Sequence, residues 1–165
     1  MGIMAVPQAD GGDDPSKVTI RSLYAVRLLL DYARDVDEAV ALLQDYTVSL
    51  EGGPPVHCLV SGPSGNSAAL EFLCRKVQVI RNSHPRQVAS NLVISGTAPE
   101  KRGCLCARYG TAYQTLKGSQ GSICPDQAMP LLEQVSQAGD YPTIWSVVYN
   151  MTGGDIRAVV GREYD

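Results

Sequence analysis

Long apolar runs are missing from this chain: none of its 165 residues belongs to a stretch approaching the ~20 apolar side chains of a membrane-spanning helix. No basic segment followed by an apolar core precedes residue 20, so no secretory signal is read and a cytoplasmic protein is expected. Aromatic side chains are sparse, with one Phe and one Trp, and no basic stripe accompanies the net charge of −3. Recognition of nucleic acid by phosphate neutralisation is therefore not expected. Cysteines number five, an odd count without the dense spacing of a disulfide framework, which favours a reducing compartment.

What is present is ordinary globular material. A hydrophobic fraction of 44% beside a charged fraction of 19% is too apolar for disorder. The length suits a single domain over residues 1–165, large enough to bury roughly 70% of its unfolded surface.

The pattern predicts helices, then strands, then helices, then a hairpin. Residues 23–33 carry Leu23, Val26, Leu30 and Ala33 on one helical stripe, widened by Leu28 and Leu29. Asp35 and Glu38 have capping-box spacing, and Val36, Ala39, Val40 and Leu43 follow at helical intervals through residue 45. Residues 56–60 and 67–73 are apolar on both faces, as expected of strands buried between two layers. The turn Gly62-Pro63-Ser64-Gly65-Asn66 joins them. Shorter strands are expected at 76–81 and 87–90, and a loop at 96–103. Residues 107–116 and 126–137 read as helices, with Pro130 forcing the second to start late or kink. A last hairpin joins 144–149 to 156–161. This order favours a layered α+β fold. The start, Met1 to Val6, is already apolar and strand-like.

Metal chemistry has little to build on. Cys104-x-Cys106 supplies at most two of four zinc ligands, and His57 and His84 would have to complete the set from elsewhere. No metal and no cofactor is expected. Glu71, on a strand buried on both faces, is expected to be paired in the core; Asp31 and Asp37 lie on helices as capping or exposed residues.

Several blocks in order resemble a known family. These are Leu29-Leu30-Asp31-Tyr32-Ala33, Val36-Asp37-Glu38-Ala39, Gly53-Pro54-Pro55-Val56-His57, Ser64-Gly65-Asn66-Ser67 with Glu71-Phe72, Ala89-Ser90-Asn91, Arg108-Tyr109-x-Thr111-Ala112-Tyr113 and Trp145-Ser146-Val147-Val148-Tyr149-Asn150. From about residue 2 to residue 165 the chain resembles the later part of the linear amide C–N hydrolases. That group includes choloylglycine hydrolases, penicillin V acylases and relatives of isopenicillin N acyltransferase. The resemblance implies a partial αββα sandwich of the N-terminal-nucleophile (Ntn) hydrolase type, with antiparallel sheets flanked by helices. It also implies a mechanism in which a processed first-residue Cys attacks an amide and its own α-amine acts as base.

Such chemistry needs a base active at neutral pH and donors for the developing oxyanion. A terminal amine of pKa near ~8 meets the first need. Carried over by position, the resemblance makes Asn91 an oxyanion or substrate donor, with Ser90 standing where the family usually has Thr. It makes Arg108 the arginine beside the nucleophile, which favours a thiolate by Coulomb attraction. Without the resemblance, Asn91 reads as a turn residue after a strand and Arg108 as a solvated helix-start arginine.

No cysteine of the chain follows a plausible processing start, so the nucleophile is expected outside the given sequence, the chain being the C-terminal portion of a hydrolase inactive by itself. The partner would then be a small-molecule amide, with neither nucleic acid nor membrane involved. The alternative is a non-catalytic interaction subunit, or a self-associating one, whose unpaired sheet edges recruit another chain.

Overall fold

The computed structural model describes residues 1–12 and 14–164. Its centre is a four-stranded antiparallel sheet built on two hairpins. Strands β1 (Gly2–Ala5), β4 (Val56–Ser61), β5 (Ser67–Leu73) and β6 (Lys76–Arg81) are hydrogen-bonded in the order β1-β4-β5-β6. The turn between β4 and β5 is closed by Gly62 and Asn66, with Gly65 at φ +85°, a conformation that favours glycine. The β5–β6 turn uses Cys74 and Arg75, both at positive φ. Cys74 therefore sits in a two-residue turn.

The period-2 alternation sends β5 side chains to two different layers. Ala68, Leu70 and Phe72, with Cys58 from β4, pack on helices α1 (Ser22–Tyr32) and α2 (Val36–Gln44). Ala25 and Leu29 of α1 and Val36, Ala39, Val40 and Leu43 of α2 complete that core. The opposite face carries Ala69 and Glu71 and is buried just as fully. Both-face burial of this strand is thus as the sequence predicts.

Helix α2 begins at Asp35, whose carboxylate accepts from the Glu38 N–H at 2.9 Å. Glu38 reaches back one residue further than a capping box requires, accepting from the Arg34 N–H at 2.9 Å. In α1 the buried stripe is rotated from the expected one: Ala25 and Leu29 face the core, while Leu23 and Leu30 are 71% and 56% exposed. Leu29 joins Val36 of α2 in the same buried cluster.

Two short strands escape the sequence pattern. β2 (Val18–Arg21) and β3 (Tyr46–Ser49) form a short parallel pair that brackets the two helices, beside the antiparallel sheets expected. Two further corrections lie downstream. Residues 87–90 belong to no strand; they run as coil. The expected loop at 96–103 instead contains helix α3 (Pro99–Leu105), opened by Pro99 in its first turn.

Helix α4 (Ala107–Gly118) follows at once, then α5 (Pro125–Gln134), which runs through Pro130 without starting late. The closing hairpin, β7 (Trp145–Tyr149) and β8 (Ile156–Val160), packs on α5. Its turn is ordered by Asn150, whose side-chain oxygen accepts from the Thr152 and Gly153 N–H groups. The result is an α+β fold of antiparallel sheets flanked by helices. Among the described residues no helix is long and apolar enough to cross a membrane.

Candidate functional site

Asn91 and Arg108 are brought together. The coil that covers the second face of the sheet turns at Ser90, where the Leu92 N–H reaches the Ser90 carbonyl at 2.8 Å. Ser90 and Leu92 point inward and are buried, which leaves Asn91 outward at the surface. Arg108 stands in the first turn of α4, which departs from α3 at Cys106. A Cβ placed on Gly110 would lie 3.2 Å from the Gly103 Cα, so two glycines allow the helices this close approach. The crossing aims Arg108 at Asn91: its Nη2 donates to Asn91 Oδ1 at 2.8 Å.

Asn91 is held at both ends. Its Nδ2 donates to the Ala5 carbonyl, the last residue of β1, at 3.0 Å. One of its two amide hydrogens is thereby engaged; the other has no partner among the described residues. A guanidinium on the carbonyl side polarises the amide and strengthens the remaining N–H as a donor. The pair stands at the C-terminal end of β1.

A thiol belongs to the same cluster. Cys106, the N-cap of α4, lies with its Sγ 3.5 Å from the Ser90 hydroxyl, next in sequence to Asn91. Burial pushes this half-buried thiol up. The Ser90 hydroxyl, the Tyr109 N–H and the Arg108 charge more than offset that and hold it below the ordinary cysteine value. Sequence reasoning paired Cys106 with Cys104, but Cys104 is exposed on α3. Among the described residues no group of three or more His, Cys, Asp or Glu could hold a metal ion. Cys58 is the opposite case, a core thiol that burial pushes to about 12.

Behind the cluster is a buried pair. Hairpin arithmetic continues the Cys58–Leu70 register to His57 and Glu71, and His57 Nδ1 lies 3.1 Å from Glu71 Oε1. The backbone N–H groups of Ile94 and Ser95 donate to the two carboxylate oxygens at 2.6 and 2.8 Å. Burial raises the Glu71 pKa, yet the hydrogen bonds from His57, Ile94 and Ser95 prevail and leave it at about 2. The paired core carboxylate expected from the sequence is thus present, and it anchors the coil that carries Asn91. Asp31 and Asp37 are surface residues that pair with Arg27 and Arg81.

No family model matches the sequence, and no curated protein does. Among solved structures, the fold is similar to the crystal structure of a mutant of the conjugated bile acid hydrolase from Clostridium perfringens. The TM-score is 0.63 at 14% identity, over 98% of this chain and 69% of that one. At that identity the likeness shows the fold, and it is the fold that the sequence resemblance implies.

Proposed function

We propose that this chain is part of a cysteine-dependent hydrolase or acyltransferase of linear amides, of the choloylglycine hydrolase and penicillin acylase type. The supporting observation is the contact between Arg108 and Asn91 at the end of β1. In this reading Asn91 offers its free N–H to the oxyanion formed when a thiolate attacks the amide carbonyl. Arg108 holds Asn91 in orientation and stabilises negative charge beside it. Donors of this kind are worth ~3–4 kcal/mol in the transition state.

The attacking group is a terminal Cys whose α-amine takes the proton, and it comes from a segment outside these 165 residues. Three observations favour that assignment. Cys58 is sealed in the core, Cys106 is an internal residue without an α-amine, and Asn91 is tied to edge strand β1, where an added strand would pair. The five free cysteines suit a reducing, cytoplasmic setting.

The test compares the 165-residue chain with a polypeptide extended upstream by an in-frame segment bearing a processable Cys. Both are assayed on a bile-salt amide and on an N-acyl amide. The short chain should show no turnover and the extended one should hydrolyse at least one substrate. Asn91→Ala in the extended form should then lower kcat by about 10²-fold or more. Turnover unaffected by Asn91→Ala, or an extended chain with its terminal Cys that hydrolyses neither substrate, would overturn the reading.

A second reading has its own observation. Among the described residues the outer edge of β1 is unpaired, and beside it lies an apolar groove lined by Ile3, Leu23, Tyr24, Val26 and Pro54. A non-catalytic subunit that recruits another chain would use that surface.

A further inference from the structure

A cavity of about 360 Å³ lies away from β1, between the coil after β6 and helices α3 and α4. Two half-buried arginines line it. Arg102 donates to the Tyr109 hydroxyl at 3.0 Å and to the Ile94 carbonyl at 2.6 Å. The Arg86 guanidinium stands over the Tyr113 ring at 5.7 Å. Tyr109 and Tyr113 are themselves stacked, their ring centres 5.9 Å apart.

The charge here is uncompensated. No Asp or Glu lines the cavity, and among the described residues neither Arg86 nor Arg102 has a carboxylate within ion-pair distance. His84 adds a further nitrogen base, while Arg81 at the rim is already paired with Asp37. Guanidinium groups partly withdrawn from water without a carboxylate are costly unless an anion meets them.

The cavity is also built to keep its shape. Gly121, just beyond the end of α4, is so close to the coil that a Cβ there would lie 2.2 Å from the Pro85 carbonyl oxygen. This contact fastens the coil that carries His84, Arg86 and Gln87 to α4.

We infer that this cavity binds a small oxyanion of the phosphate or sulfate class. The guanidinium groups of Arg86 and Arg102 take the charge. The site is separate from Asn91 and Arg108 and does not depend on the amidase reading.

Calorimetric titration of the whole chain at low ionic strength tests this with two probes, inorganic phosphate and sulfate, each against chloride at matched ionic strength. Saturable one-to-one binding of both is expected. Arg86→Gln, at a side chain without a hydrogen bond to the described residues, should fold normally and bind about tenfold or more weakly. Arg102→Gln should show the same loss, and Arg86→Gln decides the matter if that variant does not fold. Heats no greater than those of chloride, or undiminished binding by Arg86→Gln, would overturn the site.

Discussion

A carboxylate enclosed between a sheet and the coil that covers it must be met by donors or give up its charge. Glu71 is met by three, from His57, Ile94 and Ser95, and stays ionised. Its pKa in the folded protein, about 2, lies below its ordinary 4.5, so the carboxylate stabilises the fold fully above that ordinary value. The contribution disappears as pH falls from 4.5 through about 2, and amounts to roughly 3 kcal/mol at most. Glu71→Gln would turn an N–H toward the donors of Ile94 or Ser95 and should cost about 2–4 kcal/mol in urea unfolding at neutral pH. Its unfolding midpoint should also lose most of the wild-type dependence on pH between about 5 and 3; a variant with the parental acid profile would contradict the assignment. Cys106 gives a second residue-scale outcome. Its reaction with iodoacetamide should rise with pH at a midpoint below that of an ordinary cysteine, and Ser90→Ala should move that midpoint upward. Cys58 should resist alkylation until the chain unfolds. As for what the sequence disclosed, Asn91 and Arg108 stood out through their resemblance to a motif, and without it each is an unremarkable surface residue. His57 was recoverable in principle, because the turn that pairs Ser61 with Ser67 also sets His57 opposite Glu71. The nearness of Cys106 to Ser90 was not, since it depends on where two helices cross and on a coil with no periodicity.

Among the elements, legibility followed length and period. Helix α2 was readable because its stripe and its cap agree, and Asp35→Ala should cost about 1 kcal/mol in thermal or urea unfolding. Strands β4 and β5 were readable because both faces are apolar and the turn between them is glycine-rich. Strands β2 and β3 have four residues each and pair in parallel across two helices, so no local turn announces them. Helix α3 was concealed by Gly96 and Gly103, read as loop signals, although Gly103 serves the approach of α4. The expected strand at 87–90 is coil, in which the Gln87 side chain donates to the Ile80 carbonyl. Gly121 carries the prediction at this scale. Its φ of +83° and its contact with Pro85 both refuse a side chain, so Gly121→Ala should destabilise by about 2 kcal/mol. The same substitution should weaken anion binding in the adjoining cavity. A variant as stable as the parent would show that the coil is not fastened there.

At the scale of the whole molecule, the rotation of α1 and the open edge of β1 combine. Had the expected stripe faced the core, Leu23 and Leu30 would be buried. Instead Leu23 and Tyr24 lie 71% and 70% exposed, and Ile3, on the edge strand, is 42% exposed. An unpaired edge flanked by apolar side chains is a template for another strand. Natural sheets guard such edges with bulges, prolines or lysines, and β1 (Gly-Ile-Met-Ala) has none of these. The 165-residue chain should therefore associate with itself, its weight-average mass in sedimentation equilibrium rising with concentration. Ile3→Lys, which sets a charge on that edge, should hold the chain at its monomer mass with little change in unfolding free energy. If a strand bearing the nucleophile pairs with β1 as proposed, the extended polypeptide should stay monomeric without any substitution, because its own chain fills the edge. A short chain that is monomeric at every concentration would mean that β1 attracts no strand, and it would remove the structural reason for placing the missing thiol beside Asn91.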